Sequence, residues 1–384
     1  MRKWLFFVLL LTSTSLSAAD WMRRLPSNIY VAQMSIPGAH DACTGSGWAS
    51  GTSLIGNRYA RTQDLHISEL WSAGVRAFDL RPCVYKDYMN INHGIMPTVM
   101  HFEDVLHLLC DSLSQHPSEF AVIHLLHATD GDQVENAYDQ RLTELFSQDW
   151  LKGRLVNFRR DLKLGQVRGK ILILSRDSYA DVPVTGGIFR NWTGELDWSK
   201  QVGVRIQGPD NTMNVCVVQD YAETHAEGAL AAKVAAVEQL LEFARTRIGT
   251  SASSLRWVLN FASAYSKVEF IGNISLSDGY RDNAVSTHAA ILQHLRTKTP
   301  GPTGIILMDF AGVDRSGDYD VRGKELVYAL IQNNIDYFEY LTSISDVMSA
   351  DKPSSDPCYD LQGRPSEKPV RGFNIVGGKK VILK

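Results

Sequence analysis

Eight short apolar runs, most of them separated by stretches with helical periodicity, set the limits on how this chain can fold. They are residues 30–34, 75–81, 90–94, 121–126, 170–176, 214–220, 257–261 and 304–310. Residues 62–73, 101–116, 133–146, 226–246, 284–296 and 324–334 read as helices. In the first, Leu65, Ile67, Leu70 and Trp71 give an apolar side and Gly74 ends it; in the second, Val105, Leu106, Leu109 and Leu113 share a face and Pro117 stops it. Connections of this length join parallel strands. The run Ala121-Val122-Ile123-His124-Leu125-Leu126 is nearly continuous, as in strands buried on both faces. An α/β architecture follows, and a (β/α)8 TIM-type barrel is its economical form, because closing the sheet leaves no unpaired edge. The alternative, an open doubly wound sheet, would carry a GxGxxG turn after its first strand, and this chain has none. The step from Arg81 to Asn90 is too short for a crossover helix, so the barrel is expected to be irregular there. Pro37 and Gly38 are expected to stop the first strand.

The two ends differ in character. Arg2 and Lys3 precede an apolar core, residues 4–11, too short to span a bilayer, and Ser17-Ala18-Ala19 offers the small residues that a signal peptidase needs. Residues 1–19 are therefore expected to be a signal peptide, with a retained anchor as the alternative, and the protein to be secreted, cell-surface or periplasmic. No cysteine follows the apolar core, which argues against a lipoprotein. Residues 20–349 are expected to form the barrel, and residues 350–384 a linker and small β-hairpin tail. Residues 373–376 and 380–383 flank the Gly377-Gly378-Lys379 turn of that hairpin; a frayed tail is the plain alternative.

The formal net charge is −3 with both signs mixed. Nucleic-acid binding needs a strongly basic face and is not expected. The five cysteines, Cys43, Cys83, Cys110, Cys216 and Cys358, are scattered and form no CxxC or Cys/His zinc pattern. Cys43 follows His40 closely but reads as a loop or buried thiol rather than a nucleophile.

The polar residues near the C-terminal ends of the runs are His40 and Asp41, Asp79 and Arg81, His93, Arg176, Asp220 and Tyr221, and Asp309. In a barrel these would share one mouth. Two histidines, several carboxylates and two arginines suit phosphate-ester chemistry. One imidazole can take a proton from an attacking hydroxyl and the other can protonate the leaving oxygen. A carboxylate beside each fixes its tautomer, and an arginine can hold the phosphate bidentately. Other histidines have plainer readings. His101, His107 and His116 are expected on helix surfaces. His124 and His127 form an HxxH, but on a strand they point to opposite faces, which is no zinc site.

Ser35-Ile36-Pro37-Gly38-Ala39-His40-Asp41, then Val75-Arg76-Ala77-Phe78-Asp79-Leu80-Arg81, then Asn92-His93-Gly94, resemble the X-domain of bacterial phosphatidylinositol-specific phospholipase C, over roughly residues 25–345. The resemblance implies that His40 is the general base toward the inositol 2-hydroxyl, oriented by Asp309. It implies that His93 is the general acid, supported by Asp41, and that Arg81 contacts the phosphate. Arg176 and Asp220 would hold inositol hydroxyls, with Tyr221 near a ring-stacking position. Bacterial members carry a strand-four lysine that is absent here, and His127 is the expected substitute. Arg81 stands where calcium-binding relatives have an acid, so no metal or other cofactor is expected. The implied reaction converts phosphatidylinositol to diacylglycerol and inositol 1,2-cyclic phosphate. The rivals are another phospholipid or glycerophosphodiester phosphodiesterase on the same barrel and a non-catalytic lipid- or glycan-binding barrel. The protein is expected to act as a monomer at a membrane surface, with Trp48, Tyr265, Phe270 and Ile271 as candidate apolar contacts.

Overall fold

The computed structural model describes residues 18–211, 213–271, 274–349, 358–359, 365–366, 372–376 and 379–383. Residues 1–17 of the expected signal peptide and most of the expected linker lie outside the described residues. The chain divides into two compact units, Met1–Asn334 and Ile335–Lys384.

Among the described residues the first unit has fourteen strands: β1 (Ser35–Ala39), β2 (Ala77–Leu80), β3 (Pro82–Val84), β4 (Met89–His93), β5 (Met96–His101), β6 (Ala121–Leu125), β7 (Ile171–Ser175), β8 (Gly187–Arg190), β9 (Val202–Gln207), β10 (Met213–Gln219), β11 (Trp257–Phe261), β12 (Lys267–Ile271), β13 (Ile274–Asp278) and β14 (Gly304–Met308). Nine of them close a barrel in the order β1-β14-β11-β10-β9-β8-β7-β6-β2. Every neighbouring pair is parallel except those of β9, which runs antiparallel to β8 and β10. This is a (β/α)8 barrel with one extra strand. β1, β2, β6, β7, β11 and β14 are buried along their whole length.

Three features differ from the sequence expectation. Residues 30–34 do not form the first strand; they hold the 3₁₀ turn Val31–Gln33, and β1 begins at Ser35. Pro37 and Gly38 therefore lie inside β1. Pro37 needs no N–H there, and its carbonyl accepts from the Arg76 N–H at 2.9 Å. At Gly38 an added Cβ would stand 2.7 Å from Leu307 Cδ2 and 2.8 Å from the Ile306 carbonyl oxygen, so the glycine marks close packing of β1 on β14 rather than a turn. The run at residues 90–94 is not a barrel strand. It supplies β4 of a small antiparallel sheet, β3-β4-β5, which fills the irregular step after Arg81. Its place in the barrel is taken by β8, and β9 is the further strand; both are too short or too mixed to stand out as apolar runs.

A buried ion pair pins β2 to the start of β6. Arg76 Nε lies 3.0 Å from Glu119 Oε2, and both side chains are fully buried. Nη1 donates to the Trp71 and Val75 carbonyls and, with residues 18 and 19 present, Nη2 donates to the Ala18 and Ala19 carbonyls. Removing one partner from such a pair costs about 3–5 kcal/mol. Next to it, the helix Ile67–Ala73 is capped by His66 and Glu69 and ends at Gly74 with φ of 104°.

In the second unit, Gly372–Val376 pairs antiparallel with Lys379–Leu383, and Cys358–Tyr359 pairs with both Gly372–Val376 and Pro365–Ser366.

Candidate active site

The barrel delivers the expected residues to one mouth. His40 and Asp41 follow β1, Arg81 follows β2, Arg176 follows β7, Asp220 follows β10 and Asp309 follows β14, while His93 closes β4 of the small sheet. His40, Arg81, His93, Arg176, Asp220 and Tyr221 line a cavity of about 700 Å³ with Trp198, Tyr265 and Tyr280.

The turn after β1 is the most constrained part. Asp41 has a φ of 44°, in the left-handed region. Its N–H donates to Asp79 Oδ2 at 3.2 Å, and its carbonyl accepts from the Thr44 hydroxyl at 3.1 Å. This backbone places the Asp41 carboxylate beneath the cavity-lining His40, Arg81 and His93.

His40 Nδ1 is 2.8 Å from Asp309 Oδ1. An ionised carboxylate only accepts, so Nδ1 carries the proton. His40 Nε2 is 2.8 Å from Arg81 Nη2, a group that only donates, and 3.2 Å from Asp41 Oδ2. The atom that would receive a proton thus stands between a fixed donor and a carboxylate. With Nε2 unprotonated it accepts from Arg81; once protonated it can turn its charge to Asp41. Burial alone would lower the His40 pKa, but the Asp41 and Asp309 carboxylates outweigh it and leave the value raised.

His93 Nδ1 donates to the Ala60 carbonyl at 2.7 Å, and its Nε2 lies 3.4 Å from Asp41 Oδ2. Donation from both nitrogens suits the imidazolium, the form a general acid needs. Burial nevertheless lowers the His93 pKa, with Arg81 and His40 acting in the same sense and Asp41 against it. The two rings face each other edge-on with centroids 6.3 Å apart.

Asp41 is therefore shared: Oδ2 faces both imidazoles, and Oδ1 forms an ion pair with Arg81 Nε at 2.9 Å. Asp79, for which the sequence supported no definite role, is a fully buried hub. Its Oδ2 accepts from Arg81 at 3.0 Å and its Oδ1 from His124 Nδ1 at 2.7 Å. Although its burial opposes ionisation, Arg81, His124 and His40 hold the Asp79 carboxyl well below the usual range. Ligand-type atoms of His40, Asp41 and Asp79 lie within 4.8 Å of one another, but the guanidinium of Arg81 stands 2.8–3.0 Å from all three and already supplies a positive charge there. The Cys43 thiol is buried and its pKa is pushed far up by burial and by Asp41 and Asp79, which leaves it no nucleophilic character.

The opposite wall is aromatic and more loosely tied. Arg176 Nη1 is 3.5 Å from Asp220 Oδ2, and its guanidinium lies 4.7 Å from the centre of the Trp192 ring. Trp192 packs against Phe189, Trp198 and Phe261. None of these aromatics was expected from the sequence; the density of Phe189, Trp192 and Trp198 within ten residues was the available signal.

Two expected placements are corrected. His127 does not line the cavity. Its Nε2 pairs with Asp132 at 2.8 Å and its ring stacks on Tyr138 at 3.6 Å, beyond the end of β6. Trp48 does not protrude: it is 6% exposed, and its indole N–H donates to Asn57 at 2.9 Å. Exposed apolar residues close to it in sequence include Leu54, 90% exposed, and Ile55, 44%, on the helix Ser53–Tyr59. Tyr265 lines the cavity; the side chains of Phe270 and Ile271 lie outside the described residues.

No family model matches the chain. A 1-phosphatidylinositol phosphodiesterase of Listeria monocytogenes is 29% identical over 167 residues, which cover 42% of this chain and half of that protein. One of Staphylococcus aureus is 24% identical over 329 residues, covering 84% of this chain and 96% of the other. A crystal structure of a pentafluoro-Phe variant of phosphatidylinositol-specific phospholipase C from Staphylococcus aureus superposes with a TM-score of 0.63 at 20% identity, over 82% of this chain and 97% of that one. The chain is similar to the bacterial phosphatidylinositol-specific phospholipases C. The likeness to this family extends across the barrel and beyond the three motifs that first suggested it. Among the described residues no helix is long and apolar enough to cross a membrane.

Proposed function

We propose that this protein is an exported phosphodiesterase that cleaves phosphatidylinositol to diacylglycerol and inositol 1,2-cyclic phosphate without a metal. The observation that carries this reading is the shared carboxylate: Asp41 stands between two imidazoles, with Arg81 beside it, at the floor of one cavity.

His40 Nε2 takes the proton of the inositol 2-hydroxyl as its oxygen attacks phosphorus, and Asp309 stabilises the imidazolium that forms. Arg81 draws the non-bridging phosphate oxygens and offsets the charge that builds on them. The bond from phosphorus to the glycerol oxygen breaks, and His93 Nε2 gives that oxygen its proton. Water can then attack the cyclic phosphate more slowly, with the two histidines exchanging roles. Arg176 and Asp220 hold ring hydroxyls and Tyr221 offers a ring face. Arg81 fills the position of a cation and repels one, which is the basis for metal independence. Membrane binding is described for the Staphylococcus aureus enzyme; here Leu54 and Ile55 are the groups suited to enter a lipid surface.

The general-acid role separates this reading from a non-catalytic barrel. A leaving group that needs no proton should rescue His93→Ala but not His40→Ala. With an inositol p-nitrophenyl phosphate, His93→Ala is expected to recover on the order of 10²-fold relative to its loss on phosphatidylinositol. Equal losses on both substrates would remove His93 from the proton transfer.

A further inference from the structure

Behind the head-group wall lies a lysine with no exposed surface. Lys233, in the helix Ala229–Arg247, is 0% exposed. A buried ammonium is rare unless the surroundings compensate for lost hydration. Nζ donates to the Phe261 carbonyl at 2.6 Å and to Gln219 Oε1 at 3.1 Å. The same Gln219 oxygen accepts the Tyr221 N–H at 2.7 Å. Gln219 Nε2 donates in turn to the Phe261 carbonyl at 2.8 Å and to Asn260 Oδ1 at 2.7 Å. Lys233 and Gln219 therefore fasten the turn in which β10 gives way to Asp220 and Tyr221.

Neutral donors could have fastened that turn, so the charge needs its own explanation. Two carboxylates act on Lys233 through space, the partly buried Asp220 after β10 and the buried Asp309 after β14. Asp220 is partly buried at the cavity wall, and desolvation pushes its carboxyl up; Arg176, Lys233, His124 and Arg81 pull it down. Arg176 and Arg81 border the cavity, whereas Lys233 acts from inside the barrel wall.

We propose that Lys233 is a positioning residue for head-group recognition: it holds the turn after β10 and supplies, from behind the wall, the positive charge that keeps Asp220 an anion able to accept hydrogen bonds from ring hydroxyls. This inference rests on the reading of Asp220 as a hydroxyl acceptor. Burial, against Asp220 and Asp309, lowers the Lys233 pKa to about 7, so its charge assists Asp220 below that pH; above it the pair loses the lysine proton and Asp220 stays ionised without help.

The test measures binding of myo-inositol by calorimetry between pH 6 and 9, with turnover of a soluble inositol phosphodiester alongside. Lys233→Gln keeps a donor and removes the charge; Lys233→Met, with its thermal midpoint, reports the packing. Lys233→Gln should bind roughly 5–20-fold more weakly than the wild type at pH 6, the gap should close toward pH 9, and its KM at pH 6 should rise while kcat stays within about threefold. In an Asp220→Asn background the same substitution should add less than about twofold, because the charge has lost its partner. An unchanged affinity in Lys233→Gln, or an equal loss with and without Asp220, would overturn the proposal. A wild-type protein that neither turns over the phosphodiester nor binds myo-inositol would instead remove the functional reading, and the inference with it.

Discussion

The wall of the cavity that carries His40 and the wall that carries Arg176 hold their charges in different ways. On the first, His40, Asp41, Asp79, Arg81 and Asp309 are linked by contacts of 2.8–3.2 Å, and the residue that turns the chain has a positive φ. His40, Asp41, Asp79 and Arg81 each meet two or more charged partners, so their geometry is over-determined, while Asp309 is tied to His40. On the second, Arg176 meets Asp220 at 3.5 Å and otherwise leans on an indole face. That arrangement leaves donors and acceptors free for a ligand. The difference suits the proposed roles: proton transfer needs atoms held in place, whereas head-group recognition needs unspent hydrogen-bonding capacity.

The largest expected effect breaks the first wall. His40→Ala should lower kcat by on the order of 10³–10⁴-fold with little change in KM, measured on a soluble inositol phosphodiester. A loss confined to KM would move His40 to the second wall. Asp309→Asn should follow at about 10²-fold or more. It also carries a pH signature. In the proposed mechanism the base works when neutral and the acid when protonated; because the His40 pKa is raised and that of His93 lowered, the alkaline limb of kcat/KM reports His40 and should lie above the ordinary histidine value. Removing the Asp309 charge should shift that limb to lower pH; an unmoved limb would mean that another group sets it. A two-dimensional NMR titration of the free protein sharpens the point, because His93, lowered by burial, should titrate below His40.

Asp220→Asn should act on the second wall, raising KM about tenfold and leaving kcat within a fewfold. A kcat loss as large as that of Asp309→Asn would erase the distinction between the walls. The smallest effect lies outside both. Leu54→Ala should weaken binding to phosphatidylinositol vesicles by about tenfold, the scale of burying one leucine, without altering turnover of a soluble substrate. Weaker turnover of both would place Leu54 in the fold rather than at a lipid surface.

The same contrast explains what was legible in the sequence. The first wall sits on strands whose ends carry dense local signals: the His40-Asp41 step after a Pro-Gly, Arg81 two residues after Asp79, and Asp309 at the end of a continuous apolar run. The boundary of β1 was misread because Pro37 and Gly38 usually punctuate; here Gly38 is required by the approach of Ile306 and Leu307. The second wall rests on β8 and β9, whose short, mixed sequences show no strand period, and on Trp192 and Trp198 between them. Lys233 was equally hidden, since an Ala-rich helix gives no sign that one of its lysines points inward. His127 was expected at the wall through its place after β6; the Asp132 and Tyr138 contacts that draw it away are tertiary and left no local trace. His124, three residues earlier, is the histidine that faces the site, through Asp79.

The most direct test of the central claim is phosphorus NMR of phosphatidylinositol vesicles incubated with the purified protein in excess chelator. The account predicts a five-membered cyclic phosphate resonance that appears first and later converts to inositol 1-phosphate. Silence in chelator followed by turnover on adding calcium would contradict it, because Arg81 would then not be doing the work of the cation.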